Sequence, residues 1–375
     1  MVFVALITIR AIESIAYFCS LYPALERGGF TLRFDKIKLI KGDIMKLIMQ
    51  SLLLSSLLIT TSIAKDNNST KEVKEPTQIK KEDIKTTNND VIIFSSENKD
   101  GKITTKSIEE AFKKAGFFIS ANRDMNEPFK KQFKESSFEI YNLFTFYKKD
   151  TVLELAKKYP NIGLFAPMSM SIYTKKGEKK ISIASLSAQA MQKIMKIPAD
   201  EKLLTDLRDL VEKTLKEALP DGKVEEATYK TVEAKGELVT SMTMEMDKDD
   251  WDEELEDFKM SFEGELATNG FIIAGHNNLG DDFEEKNYEA FDFYEVYSIC
   301  KLPVIYTIAK TRPEAGAFAP CSLYIEKTKN KNEMHIAFPS VYNWMSSLAV
   351  DDKKDLDILE DAQKRMKKIL SGLTE

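Results

Sequence analysis

Apolar positions change period in a fixed order along residues 91–222. Val91–Phe94 is a short apolar run ended by an Asp100-Gly101 turn, which predicts a strand. Ser107-x-x-Glu110 has the form of a capping box, and Ile108, Ala111, Phe112 and Ala115 recur at helical spacing until Gly116. Phe117–Ala121 reads as a second strand, Phe129 and Phe133 mark a short amphipathic segment, and Phe138–Tyr147 predicts a third strand. A helix over Asp150–Tyr159 turns Val152, Leu155 and Ala156 inward. A strand from Met168, a Lys175–Gly177 hairpin and Ile181–Ala184 follow, then helices at Ala188–Met195 and Asp200–Leu219. Leu203, Leu207, Leu210, Val211 and Leu215 form the stripe of the last helix, which Pro220-Asp-Gly222 stops.

Residues 236–375 replay that order. Strands are predicted at Val239–Met246, Phe271–Gly275, Phe291–Lys301, Cys321–Glu326 and Met334–Phe338. Helices are predicted at Phe258–Asn269, capped by Gly270, and at Asp355–Leu370. The replay extends to identity: Phe138–Ser187 matches Phe291–Ser340 at sixteen of fifty positions, at a constant offset of 153. Chance would give roughly three, so the chain holds an internal duplication. The expected fold class is α+β, in two tandem copies of an antiparallel sheet with its helices on one face. Tandem copies of this kind are expected to pack through matching surfaces, as a pseudo-dimer.

The densest match is Gly163-Leu-Phe-Ala-Pro-Met-Ser-Met-Ser-Ile172 against Gly316-Ala-Phe-Ala-Pro-Cys-Ser-Leu-Tyr-Ile325. Gly163 and Gly316 are expected at positive-φ turns, and Pro167 and Pro320 where strands start. Met168, Met170 and Ile172 share one strand face, as do Cys321, Leu323 and Ile325. Ser169 and Ser171, or Ser322 and Tyr324, point the other way, so each copy predicts a half-buried antiparallel strand.

The start of the chain changes the picture of location. Met45-Lys46, the apolar Leu47–Thr60 and Ser62-Ile-Ala64 have the order of a Sec-type signal peptide, over residues 45–64. Such a signal belongs at a chain start, so residues 1–44 are expected to be translated upstream sequence. Residues 65–90 are Lys-, Glu-, Asn- and Thr-rich and predict a disordered linker. The expectation is an exported, periplasmic protein with one repeat domain at 91–222 and another at 236–375. Arg10 and Glu13 interrupt the apolar run of Met1–Leu25, well short of the ~20 clean residues of a membrane span.

Residues 1–64 hold seven basic and four acidic side chains, so the remainder carries 47 Lys+Arg against 56 Asp+Glu, a net −9. Only four arginines remain there, Arg123, Arg208, Arg312 and Arg365. That balance argues against nucleic acid as a partner, since such binding needs clustered cations. Two cysteines remain, Cys300 and Cys321, too few for a fold built on disulfides.

Gly316, Phe318, Pro320, Cys321, Ile325 and Glu326, with a hairpin behind them, carry a pattern that resembles the small bacterial family known as domain of unknown function 302. The resemblance covers each repeat nearly whole. It implies a compact α+β unit of TATA-binding-protein-like topology, often paired, and no agreed chemistry. Members often carry an Asp-His pair after the first helix; the resemblance implies His276 for that histidine, and the repeat-one position is Asn122.

Candidate chemistry is sparse. Cys300 and Cys321 predict either two buried thiols or a disulfide closing a loop of about twenty residues, worth roughly 3 kcal/mol. His276, His335, Cys300 and Cys321 match no zinc spacing. Met242, Met244 and Met246 alternate on one strand face, where core packing outweighs a copper site. In Asp247–Asp257, Trp251 and Asp252 occupy positions where a calcium loop needs a ligand and a glycine, so the acids read as favouring a helix start. No Gly-x-Ser-x-Gly and no Gly-rich phosphate loop occurs, and nothing assembles a catalytic set. Two readings follow. The first is a non-enzymatic binding module for an unknown small ligand or protein partner, with its surface at the junction of the repeats. The second is a metal or redox protein using Cys/His/Met of the second repeat. Because repeat two holds the reactive types, His276, Cys300, Cys321 and His335 are the candidate ligand-binding residues; cofactor and metal stay unassigned.

Overall fold

The computed structural model describes residues 90–248 and 250–375. The expectations for residues 1–44, 45–64 and 65–89 lie outside the described residues. Asp90, counted above with the linker, is buried, with its carboxylate accepting from Lys193 Nζ and from Ser347 Oγ, the latter at 2.7 Å.

Repeat one contains β1 (Val91–Glu97), α1 (Thr105–Lys114), β2 (Phe118–Asp124), α2 (Asn126–Phe133), β3 (Phe138–Tyr147) and α3 (Lys149–Ala156). A 3-10 segment (Pro160–Phe165), β4 (Met168–Lys175), β5 (Lys180–Leu186), α4 (Ala188–Met195), α5 (Lys202–Ala218) and β6 (Lys223–Glu225) complete it. Repeat two contains β7 (Val239–Glu245), α6 (Trp251–Thr268), β8 (Ile272–Asn278), α7 (Leu279–Glu284), β9 (Phe291–Cys300) and α8 (Leu302–Ala309). A second 3-10 segment (Pro313–Ala317), β10 (Cys321–Thr328), β11 (Glu333–Pro339), α9 (Tyr342–Ser347) and α10 (Lys353–Thr374) follow.

Both sheets are antiparallel and share one strand order. The first runs β2-β3-β4-β5-β1 with β6 added at the edge, and the second runs β8-β9-β10-β11-β7. The principal helices cover one face of each sheet. Phe112 of α1 meets Phe144 and Phe146 of β3 at ring centroids of 5.3 and 4.8 Å; Phe262 of α6 meets Tyr297 of β9 at 5.5 Å. The opposite faces of the two sheets turn toward each other, with the 3-10 segments between them.

The contacts across that junction come in mirrored pairs. Tyr141 Oη donates to Pro313 O at 3.1 Å, and Tyr294 Oη, its counterpart, donates to Pro160 O at 2.5 Å. Ser169 Oγ donates to Pro320 O and Ser322 Oγ to Pro167 O, each at 3.1 Å. The two buried clusters each draw side chains from both repeats: Tyr141, Leu143 and Tyr173 join repeat two's core, while Tyr294, Val296 and Tyr324 join repeat one's. Each repeat therefore completes the other's interior.

That packing corrects two expectations. The strands at Met168 and Cys321 are buried on both faces, because the face expected to meet water meets the other repeat instead. Neither Gly163 nor Gly316 is in the positive-φ region. Their constraint is close approach: a Cβ at Gly163 would lie 2.5 Å from Tyr324 Cβ, and one at Gly316 2.5 Å from Ser171 Cβ. Smaller shifts have local causes. The capping box of α1 is Thr104 with Ser107, three residues before the predicted one. Helix α6 begins at Trp251, with Asp252, Glu253 and Glu254 in its first turn, where acids meet the positive end of the helix dipole. The Ala166-Pro167 and Ala319-Pro320 bonds are both cis.

Candidate ligand site at the junction of the repeats

Edge strands β2 and β8 lie side by side without forming a common ladder, and side chains bridge them. Ser120 Oγ donates to Asn277 Oδ1 at 3.0 Å, and Arg123 Nε donates to Ala274 O at 2.9 Å. These are one contact seen from its two ends, since residues 120 and 123 correspond to 274 and 277 at an offset of 154. The offset is larger by one here than at β3 and β9 because repeat one has an extra residue between β2 and β3. Each edge strand carries a bulge here, between Ile119 and Ala121 and between Ile273 and Gly275. Bulges re-aim side chains and leave part of an edge unpaired.

Beside this line of contact the interior holds polar atoms with no partner. Thr145 Oγ1, Ser171 Oγ, Ser298 Oγ and Asn277 Nδ2 are all buried and unbonded. Thr145 and Ser298 are counterparts in β3 and β9, so the feature is built into both repeats. Side-chain exposure is 1% at Thr145, 0% at Ser171, 2% at Ser298 and 8% at Asn277. A buried hydroxyl left unpaired costs about 1–3 kcal/mol, so native interiors leave few polar groups without a partner.

Thr145 lines a cavity of about 420 Å³ between the two edge strands. Its walls are Ala121, Leu143, Ile273, Ala274, Leu302 and Pro320, with Cys300 at one side and Asn122, Arg123 and Asp124 at the rim. Mostly apolar walls with a few converging polar groups are the usual composition of a small-molecule site. Two smaller cavities, about 60 Å³ each, lie on either side of Cys321.

Of the four sequence-predicted residues, the structure brings only two together. Cys300 and Cys321 are free and share one of the small cavities, between the second sheet and helices α8 and α10. Burial pushes both thiols up to about 12, so neither is a ready thiolate. His276 lies on the helix side of β8, its Nε2 2.7 Å from Glu295 Oε2, while Lys259 Nζ donates to Glu295 Oε1 at 3.2 Å. Burial alone would raise Glu295, but the hydrogen bond and charge of His276, with Lys259, outweigh it and hold the carboxyl below its ordinary value. His335 lies on β11, opposite Glu326 of β10 and 3.4 Å from Glu333. Burial raises Glu326 above its ordinary value, with His335 opposing. Met242 and Met244 pack on the core and Met246 is buried in it. Among the described residues no group of three or more His, Cys, Asp or Glu could hold a metal ion.

Sequence reasoning passed over Thr145, Ser298 and Arg123. The two hydroxyls did leave a trace: a small hydroxyl at the same place in two otherwise apolar strands, Phe138–Tyr147 and Phe291–Cys300. Arg123 was visible as one of four arginines, but its counterpart is Asn277, and only the folded chain sets it across from Ala274.

Two antiparallel sheets of one strand order, each with helices on one face and a cavity at their junction, define a duplicated α+β protein. The chain belongs to the family described as Domain of unknown function DUF302, which matches it twice, at residues 92–220 and 250–373. Among solved structures it is similar to an uncharacterized conserved protein of that family from Bacillus stearothermophilus. The identity is 15% and the TM-score 0.31, over 37% of this chain and 100% of that one. No curated protein matches it. Among the described residues no helix is long and apolar enough to cross a membrane.

Proposed function

We propose that this chain is an exported, non-enzymatic binding module whose two copies act as a pseudo-dimer and take a small ligand at their junction. The observation that carries the reading is the set of buried, unbonded polar atoms from both repeats, one of them in the wall of the 420 Å³ cavity. A ligand with a hydrogen-bonding group would satisfy donors and acceptors that the protein leaves open. The mirrored tyrosine and serine bonds support the pseudo-dimer. Export rests on the order of charge, apolar run and small residues in Met45–Ala64, which gives Lys65 as the mature N-terminus. The metal or redox reading is the weaker one, because burial keeps both cysteines protonated.

The test is a thermal-shift screen of small molecules on the purified chain, repeated on Ala121→Trp. Ala121 is half-buried at the cavity wall, so the indole would occupy the cavity from its mouth. Stabilisation by some compound in the parent protein that Ala121→Trp abolishes, with circular dichroism unchanged, is the expected result. Stabilising compounds that act equally on both proteins would place binding elsewhere.

A further inference from the structure

We infer that the junction cavity takes a small organic monoanion with an apolar body, its carboxylate held by Arg123. This deepens the binding reading above and rests on it. The mirrored contacts give both repeats similar means of holding each other, yet the cavity carries a cation on one side only. Where repeat two has Asn277, repeat one has Arg123. The guanidinium is fixed through Nε, which donates to Ala274 O at 2.9 Å. Its two terminal amino groups have no partner among the described residues, so the paired donors that suit a carboxylate are open.

The remaining lining sets the rest of the ligand. Leu143, Ile273, Leu302 and Pro320 give an apolar wall behind the arginine, and Thr145 supplies a buried hydroxyl with nothing else to bond. The one acid in the lining is Asp124, whose Oδ1 accepts from Asn126 N at 2.9 Å and which makes no ion pair with Arg123. One cation and one acid leave the lining neutral, which favours a singly charged group over a dianion such as a phosphate monoester. An apolar body of a few carbons with one carboxylate fits a volume at the lower end of ordinary ligand pockets.

The experiment is calorimetric titration of the full chain with octanoate, 1-octanol and octylamine, in the parent protein, Arg123→Gln, Arg123→Lys and Arg208→Gln. Arg208 is the control: it bonds Asp209 and belongs to a different cavity. Octanoate is expected to bind at least about tenfold more tightly than the other two, the preference one charged hydrogen-bonding group gives. Arg123→Gln should erase that preference, Arg123→Lys should restore part of it, and Arg208→Gln should leave it intact. Octanol binding as well as octanoate, or octanoate binding unchanged in Arg123→Gln, overturns the anion while leaving a junction site standing. Binding of none of the three overturns the inference, and the thermal-shift comparison at Ala121 then judges the junction separately.

Discussion

At the same place in each repeat, a polar pair bridges the edge strand and its neighbour, and the two copies fill it differently. In repeat one, Asn142 Nδ2 donates to Asn122 Oδ1, and Asn122 Nδ2 donates to Glu109 Oε2 on α1, both at 2.9 Å. In repeat two the same positions hold Glu295 and His276, 2.7 Å apart, with Lys259 of α6 as the third member. The first bracket closes across the strands through amides. The second has its full strength only while Glu295 is ionised. On the opposite sheet faces, at the junction, Tyr141 and Tyr294, Ser169 and Ser322, and Gly163 and Gly316 are the same in both copies, whereas Ser171 and Tyr324, and Tyr173 and Glu326, differ at equivalent positions. The duplication has thus diverged in the brackets, and at the junction it has kept the paired tyrosine and serine donors and the glycines that permit close approach.

The sharpest way to break that comparison is at the glycines. Gly316→Ala places a methyl 2.5 Å from Ser171 Cβ and 3.0 Å from its Cα, so backbone must move. Gly163→Ala meets Tyr324 Cβ at 2.5 Å, an atom fixed to its own backbone, and Tyr294 Oη at 2.8 Å, the far end of a side chain. Overpacking of this kind costs about 1–3 kcal/mol, and the upper end is expected for Gly316→Ala. Because the two interiors interlock, both variants should lower one shared thermal transition rather than split it. A calorimetric trace with one repeat melting early and the other unmoved would show that the repeats are independent domains.

A smaller effect separates the two brackets. Glu295 is held below its ordinary value of 4.5, so the unfolded chain binds its proton more readily. Its contribution is therefore complete above about pH 4.5 and is lost as pH falls through the lower, folded value. Glu326 has the opposite sign: its folded value is raised, so stability is lost as pH rises from 4.5 through that value. Denaturant unfolding between pH 3 and pH 7 should show Glu295→Gln flattening the acid side of the profile. Glu326→Gln should instead raise stability at neutral pH. Equal acid sensitivity in the parent and in Glu295→Gln would remove the proposed difference between the brackets.

Much of this architecture was legible because the strongest patterns are local. Phe138–Tyr147 and Ala188–Met195 appear with their predicted bounds, and the repeat offset correctly aligned Pro167 with Pro320. Helix α8 was missed because Leu302-Pro-Val-Ile-Tyr-Thr-Ile-Ala309 is apolar around nearly its whole circumference, leaving no period to read. Helices α7 and α9 were missed because six residues span fewer than two turns. The site was less legible for a different reason. Chemistry-bearing residue types drew attention to His276, Cys300, Cys321 and His335, whereas the unbonded state of Thr145 and Ser298 exists only once two sheets face each other.

The finest comparison is between hydroxyls that have partners at the junction and those that do not. Ser322 Oγ donates to Pro167 O at 3.1 Å, whereas Thr145 Oγ1 bonds nothing. Ser322→Ala removes a hydrogen bond and leaves a carbonyl oxygen short of a donor, so a loss of about 1 kcal/mol is expected. Thr145→Val keeps the shape and replaces an unpaired buried hydroxyl with a methyl, which should be neutral or stabilising by up to about 1 kcal/mol in the ligand-free protein. The same substitution should weaken any ligand that uses the hydroxyl, so stability and binding move in opposite directions. Urea unfolding of the two variants reads the first difference, and octanoate titration reads the second. A Thr145→Val protein that is destabilised as much as Ser322→Ala would mean that the Thr145 hydroxyl has a structural partner, and the junction would lose its open polar atom.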